Sequence, residues 1–371
     1  MNLIAALMTE LATAGLRLRK GQARGPDRLT MELDGPEGLC AGQWHAEPAD
    51  TLRAAAHLSD EFGSRSVRVL ADGHLLVQYG GADRRLPLLH GLVAQPGAEL
   101  VAHRPDRRAV VRLDPEQYVK VVRPGRTGDV VRPLTQGHPD GIRVPEVLDA
   151  DDATGLVTLS AVPGRTLHDL LADRDRADTE LGLQVKQVGA AVRAWHGQGA
   201  HAPLVVHDGA AETAGAYRWL EAAGNFGLLD PTHWRGRLAV AAARLAGSPA
   251  ELVVLHRDLH DKQLLLEDSQ PVGLLDLDLA ACGDPAVDLA NLLVHLELRA
   301  LQGHCSEARA RLCAAALLEG YSPGPALLGR LAPYATATRL RLAGIYCFRP
   351  ARPGLVDELV RRFDEDPVDR W

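Results

Sequence analysis

Apolar positions recur along the chain at two spacings, and the switches between them mark out its parts. Leu3, Leu7 and Leu11 stand at helical spacing and predict a helix over residues 1–20. Arg28–Leu33 alternates as a strand does, a turn follows at Gly35-Pro36, and a second strand runs to Trp44. Ala49–Phe62 returns to the helical spacing, with Leu52, Ala56 and Leu58 on one side. Val67–Leu70 and His74–Tyr79 flank Ala71-Asp72-Gly73, a hairpin signal, and Arg85–Leu89 predicts a further strand. Residues 1–96 therefore read as a small α+β unit that ends near Pro96-Gly97.

Residues 97–162 are β-rich. Strands are predicted at Glu99–His103, Ala109–Leu113, Tyr118–Val122, Val144–Leu148 and Leu156–Leu159, with Gly128–Gly137 as loop or short helix. Pro163-Gly164 closes this stretch, and Thr166, with Asp169 three residues on, caps a helix. Residues 163–371 are mostly helical, with amphipathic runs at 178–198, 211–222, 232–246, 286–300, 305–320 and 325–347. The exception is 252–278, where Leu252–Leu255, Leu264–Leu266 and Gly273–Leu277 are short apolar runs. The pattern as a whole predicts an α+β fold in three parts.

Composition removes several classes of function. The chain has 371 residues and a net charge of −7, so no basic face is expected and a general nucleic-acid binder is excluded. No apolar run reaches 18 residues, so no membrane helix is expected, and Glu10 interrupts the short apolar start, which argues against a signal peptide. The five cysteines are scattered with no C-x-x-C pair, as expected of reduced thiols in a cytoplasmic protein. Of 41 basic residues only Lys20, Lys120, Lys186 and Lys262 are lysines, so a lysine inside an apolar strand is informative here.

The chemistry concentrates between the short apolar runs. His256-Arg257-Asp258-Leu259-His260-Asp261-Lys262-Gln263 precedes Leu275-Asp276-Leu277-Asp278 and Gly283-Asp284-Pro285-x-x-Asp288-Leu289-Ala290. Phosphoryl transfer to a hydroxyl needs a carboxylate to take the proton, oxygen ligands for Mg²⁺ and a cation on the phosphates. Asp258, after a His-Arg pair in a loop, suits the first role. Gln263, five residues on, and Asp276, after a short strand, offer oxygens to Mg²⁺. Lys120 lies in the strand Tyr118–Val122 and offers a compact ammonium to phosphates.

This order of motifs resembles the aminoglycoside phosphotransferase/choline-kinase-like family, a branch of the protein-kinase-like fold, over about residues 97–350. The resemblance implies a bilobal fold, a β-rich N-lobe at 97–162 and a helical C-lobe at 163–371, with ATP bound between them. By this resemblance Asp258 is the catalytic base and Asp276 and Gln263 hold Mg²⁺. Lys120 holds the phosphates, and backbone near Ser160–Val162, with Ser160 and Val162 at its ends, receives adenine. Asp288 steadies the loop of Asp258. Gln263 stands where most members carry Asn, as in maltokinases and glucosamine kinases, which also have an N-terminal cap such as residues 1–96 would form. Two further departures stand out. The loop His103–Arg108 has no glycine, which leaves the phosphate grip to Arg104, Arg107 and Arg108. Residues 123–143 hold no Glu, which leaves Asp129 or Asp140 to pair with Lys120.

The implied activity is ATP- and Mg-dependent transfer to a hydroxyl of a sugar, aminosugar or aminoglycoside-like metabolite, with no nucleic-acid or membrane partner. Alternatives are a nucleotide-binding regulatory pseudokinase and a kinase-like enzyme acting on a peptide. The remaining polar residues have plainer readings. Asp278 reads as a solvated loop acid, and His260 and Asp261 as loop residues facing the cleft or solvent. His295 and Glu297 read as an exposed helix face, and Gly283-Asp284-Pro285 as a structural turn.

Overall fold

The computed structural model describes residues 3–198, 204–246 and 251–362. Residues 1–2 of the expected first helix and 363–371 of the expected C-lobe lie outside the described residues.

The first helix, α1 (Leu3–Thr13), stops short of residue 20. Gly15 at φ +76° ends it, and Leu16 and Leu18 then alternate with exposed Arg17 and Arg19 in β1 (Arg17–Ala23). Strands β2 (Arg28–Gly35) and β3 (Gly38–His45) follow, then α2 (Pro48–Phe62) with Pro at its first position. Strands β4 (Val67–Leu70) and β5 (Leu75–Gln78) complete an antiparallel sheet of order β1-β2-β3-β5-β4. Residues 85–89 are not a strand. Leu86 and Leu89 are fully buried three residues apart, and the chain turns there into the short helix α3 (Leu89–Val93).

The second sheet is built from β6 (Glu99–Arg104), β7 (Arg108–Asp114) and β8 (Gln117–Val122). After α4 (Gly128–Thr135) and the two-residue β9 (Ile142–Arg143), it is finished by β10 (Val147–Asp151) and β11 (Leu156–Ser160). Its order is β10-β11-β8-β7-β6, antiparallel throughout, and it places Lys120 opposite both Val110 and Val157.

The C-terminal part begins with β12 (Arg165–Thr166) and α5 (Leu167–Ala172), whose Thr166 cap accepts from the Asp169 amide. Helix α6 (Asp178–Gly197), the two-residue β13 (Val206–His207), α7 (Gly209–Asn225) and α8 (Arg235–Ala246) follow. Four short strands, β14 (Val253–Leu255), β15 (Leu264–Leu266), β16 (Val272–Leu274) and β17 (Ala281–Gly283), frame the motif region. Helices α9 (Ala286–Leu301), α10 (Glu307–Tyr321), α11 (Pro325–Tyr346) and α12 (Leu355–Arg361) close the chain.

The N-terminal unit is tied to both other parts. The Gly21 amide donates to the Phe348 carbonyl just past α11 at 2.8 Å, and a Cβ on Gly21 would lie 2.9 Å from that oxygen. Only glycine allows this approach. On the other side, fully buried Asp83 accepts from His103 Nε2 at 3.0 Å and from the Asp106 amide at 2.8 Å, while Arg28 reaches the Asp106 carboxylate at 2.5 Å. The glycine-free turn between β6 and β7 is therefore braced from outside, with Asp106 held at φ +62°. Asp83→Ala strands a buried imidazole and an amide without their acceptor, so a loss of about 3 kcal/mol is expected. Urea unfolding measures it; an unchanged midpoint would contradict the bracing.

Candidate active site

The loop 256–263 is fixed by groups far from it in sequence. Asp288, at the start of α9 and fully buried, accepts from the amides of His256 at 2.7 Å and Arg257 at 2.8 Å. Burial pushes its carboxyl up, but the His196 hydrogen bond and charge outweigh that and hold it down, so it stays an anion. The His256 Nε2–H donates to the Leu275 carbonyl at 2.8 Å, and the Leu275 amide donates to the Gln263 carbonyl at 2.9 Å. Asn291 on α9 donates to the Leu259 carbonyl at 2.7 Å. These bonds set Asp258, Gln263 and Asp276 in one frame without using any of their side chains. Two residues of this frame are held in the left-handed region, Arg257 at φ +68° and Asp276 at φ +58°. Such conformations persist where surrounding contacts enforce them, commonly at working sites.

Lys120 reaches across from β8 into this frame. Its ammonium donates to Asp276 Oδ1 at 2.8 Å and to Asp278 Oδ1 at 2.6 Å. Arg108, at the start of β7, donates to Asp278 Oδ2 at 2.7 Å and to Asp276 Oδ2 at 3.4 Å. Two cations of the β-rich part thus face two acids of the helical part. Burial pushes the Asp276 carboxyl up, yet Lys120 and Arg108 outweigh it and hold the carboxyl well below the usual carboxylate range. Asp278 moves the other way: burial and the charge of Asp276 raise it against the pull of Lys120.

This corrects two expectations. Asp129 pairs with Arg126 in solvent, and the partners of Lys120 come from the helical part rather than from α4. Asp278 is not a solvated loop acid; its side chain is 10% exposed and sits on Lys120 and Arg108. Its alternation with Asp276 across Leu277, whose side chain is buried, was the available signal.

Asp258 is partly buried and lies within electrostatic reach of Arg104, Arg108, Arg257 and His260. Ser160 and Val162 lie where β11 runs toward the helical part. The Ser160 amide already donates to the Glu146 carbonyl at 2.9 Å and the Ala161 amide to the Glu116 carbonyl at 2.7 Å. Among the described residues no acceptor takes the Val162 amide, which makes it the open donor of that segment. The donor set fits Mg²⁺ in kind: two carboxylates and the Gln263 amide oxygen are hard ligands, and both acids already converge on one cation, the Lys120 ammonium.

Below the loop lies a second polar cluster that the sequence reading misplaced. Asp261 is fully buried; Arg299 grips both its oxygens at 2.7 and 2.8 Å, and His168 Nδ1 sits at 2.7 Å. His260 stacks on His295 with ring centroids 4.8 Å apart. His260, Asp261 and His295 offer ligand atoms within 4.8 Å of one another, but Arg299 fills the place a cation would take. Helix α9 is buried on every side, so His295 and Glu297 are interior, Glu297 on Arg339 at 2.8 Å. Asp284 is a structural turn residue, capping with the Ala286 amide and paired with Arg330.

This cluster predicts an acid limit to stability. Burial holds both His260 and His295 below the ordinary imidazole value. Above about pH 6.5 both rings are neutral folded or unfolded, and they contribute nothing. As pH falls below that, the unfolded chain takes protons that the fold refuses, so stability drops. The contribution of the Asp261 ion pair is full above about pH 4, the unfolded carboxylate range, and declines only below it. The melting temperature is expected to fall between pH 7 and 5, and less in His295→Asn; a flat profile would contradict this.

The model of the phosphotransferase enzyme family matches residues 99–334. No curated protein matches the chain by sequence. Among solved structures, an aminoglycoside phosphotransferase from Streptomyces rimosus is 23% identical, with a TM-score of 0.50 over 70% of this chain and 96% of its own. A choline/ethanolamine kinase family protein from Mesorhizobium loti is 17% identical, with a TM-score of 0.50 over 86% of this chain and 94% of its own. The gentamicin complex of APH(2″)-IIa is 11% identical, with a TM-score of 0.51 over 76% and 95%. These likenesses are likenesses of fold.

Proposed function

The chain belongs to the phosphotransferase enzyme family and is a small-molecule kinase, and from that premise we propose that it moves the γ-phosphoryl group of ATP, with Mg²⁺, to a hydroxyl of a sugar-like metabolite, using Asp258 as the base. The observation that carries this reading is the facing of Lys120 and Arg108 with Asp276 and Asp278.

In this arrangement the two cations and the two acids neutralise one another. A triphosphate entering the cleft competes with the acids for Lys120 and Arg108, and the acids, once released, are free to hold the metal. Asp276, Asp278 and Gln263 would hold Mg²⁺, which shields phosphate charge when bound. The Val162 amide would donate to adenine. Asp258 takes the acceptor hydroxyl proton as the hydroxyl oxygen bonds to the γ-phosphorus; the bond from that phosphorus to the bridging oxygen breaks, and ADP leaves. Asp288 acts only through the loop backbone it holds.

The regulatory-module reading draws on an unpaired Lys120, and here that lysine has two carboxylate partners. The test is nucleotide consumption with Mg-ATP across sugars, aminosugars, aminoglycosides and amino alcohols, beside Asp258→Ala. Turnover with one acceptor class, lost in the variant, supports the reading. Failure to bind nucleotide at all would overturn it.

A further inference from the structure

Three of the four lysines fall one on each part of the fold. Lys120 is on β8, Lys262 lies four residues after Asp258, and Lys20 is on β1. In a chain whose default cation is arginine, this choice of a compact, rotatable ammonium points to an anionic partner. The Gly21–Phe348 hydrogen bond carries Lys20 toward the end of α11, where Arg349 follows Phe348 directly. Arg349 lies over the Tyr346 ring at 5.4 Å, and its Nε is buried with no acceptor. Asp261, next to Lys262, holds Arg299, which donates to Gln302 at 2.6 Å, and Gln302 donates at 2.8 Å to the hydroxyl of the Tyr346 ring under Arg349, so one run of contacts leads from Lys262 to Arg349.

Protein acids pair with only one cation of this group. Lys20 has Glu32 at 2.9 Å. Among the described residues no carboxylate comes within 4.0 Å of the Lys262 ammonium or the Arg349 guanidinium. Asp261, the acid beside Lys262, spends both oxygens on Arg299. The triphosphate has its own cations in Lys120 and Arg108. Two cations without an acid partner, one of them with a buried unpartnered nitrogen, attract an anion.

We propose that the acceptor carries an acid group, carboxylate or phosphate, besides its reactive hydroxyl, and that Lys262 and Arg349 bind that group with Lys20 closing the site from the N-terminal unit. This rests on the phosphotransfer reading above and narrows it: the wall beside Asp258 selects against a polycationic aminosugar.

The test measures Mg-ATP-dependent turnover with glucose, glucosamine, kanamycin, gluconate and glucose 6-phosphate, together with binding of each to the full chain loaded with Mg²⁺ and a non-hydrolysable ATP analogue. The expected result is kcat/KM at least tenfold higher for gluconate or glucose 6-phosphate than for glucose or glucosamine; which acid wins separates carboxylate from phosphate. Lys262→Gln and Arg349→Gln should raise KM for the acid at least tenfold with kcat held within a few-fold, and Lys262→Arg should restore part of it. Lys262 is exposed, so its variants test binding without a folding penalty. Preference for glucosamine or kanamycin would overturn the inference and leave phosphotransfer standing. So would Mg-nucleotide binding with no binding or turnover of either acid. Absence of nucleotide binding would instead overturn the functional reading beneath it.

Discussion

Asp258→Asn is expected to lower kcat by about 10²–10⁴, the usual contribution of a positioned general base, while Mg-ATP affinity changes no more than a few-fold. The separation follows from how the loop is held. Its amides are bound by Asp288, its Leu259 carbonyl by Asn291 and its His256 ring by the Leu275 carbonyl, none of which involves the Asp258 side chain. Asparagine keeps the shape and loses the proton acceptor. Steady-state kinetics beside nucleotide titration distinguish the two terms. Equal losses of affinity and turnover would mean that Asp258 organises the loop rather than receiving the proton.

Asp276→Asn carries the second large effect, and its sign depends on the metal. Asp276 holds Lys120 and Arg108 in the structure, and on the proposed reading an incoming triphosphate competes with it for them. Removing its charge frees those cations, so metal-free ATP should bind as tightly or several-fold more tightly. With Mg²⁺ present the variant lacks a carboxylate ligand, and affinity for Mg-ATP should fall by on the order of 100-fold. Titration of ATP with and without Mg²⁺ reads both. A variant weakened equally in both conditions would remove Asp276 from the metal set and leave it as a structural partner of Lys120.

What could be read from the sequence divides by the range of the contacts that decide it. Thr166 and Asp169 sit three residues apart and their capping contact forms as expected. Helix α2 and the hairpin of β4 and β5 likewise follow from local pattern. The spacing of Asp258, Gln263 and Asp276 was legible because one loop and one strand fix it. Lys120 was placed in its strand, but its partners lie 156 and 158 residues away, and no local pattern carries that pairing. The same holds for Asp261, whose partner Arg299 lies 38 residues on, and for Glu297, whose partner Arg339 lies 42 residues on. A charged residue read as exposed becomes interior when a distant arginine meets it. The end of α1 was lost differently: Leu3, Leu7 and Leu11 ran into the alternating Leu16 and Leu18, and Gly15 marked the change of period.

The central claim is that Asp258 receives a proton from a small-molecule hydroxyl as the γ-phosphoryl group arrives. A single-turnover reaction with γ-³²P-ATP, Mg²⁺ and a gluconate or glucose 6-phosphate acceptor tests it most directly, with wild type and Asp258→Asn quenched over the same interval. The account predicts label on the small acceptor in wild type and label retained in ATP in the variant. Label on the protein itself, or label reaching the acceptor as fast in Asp258→Asn, would contradict it.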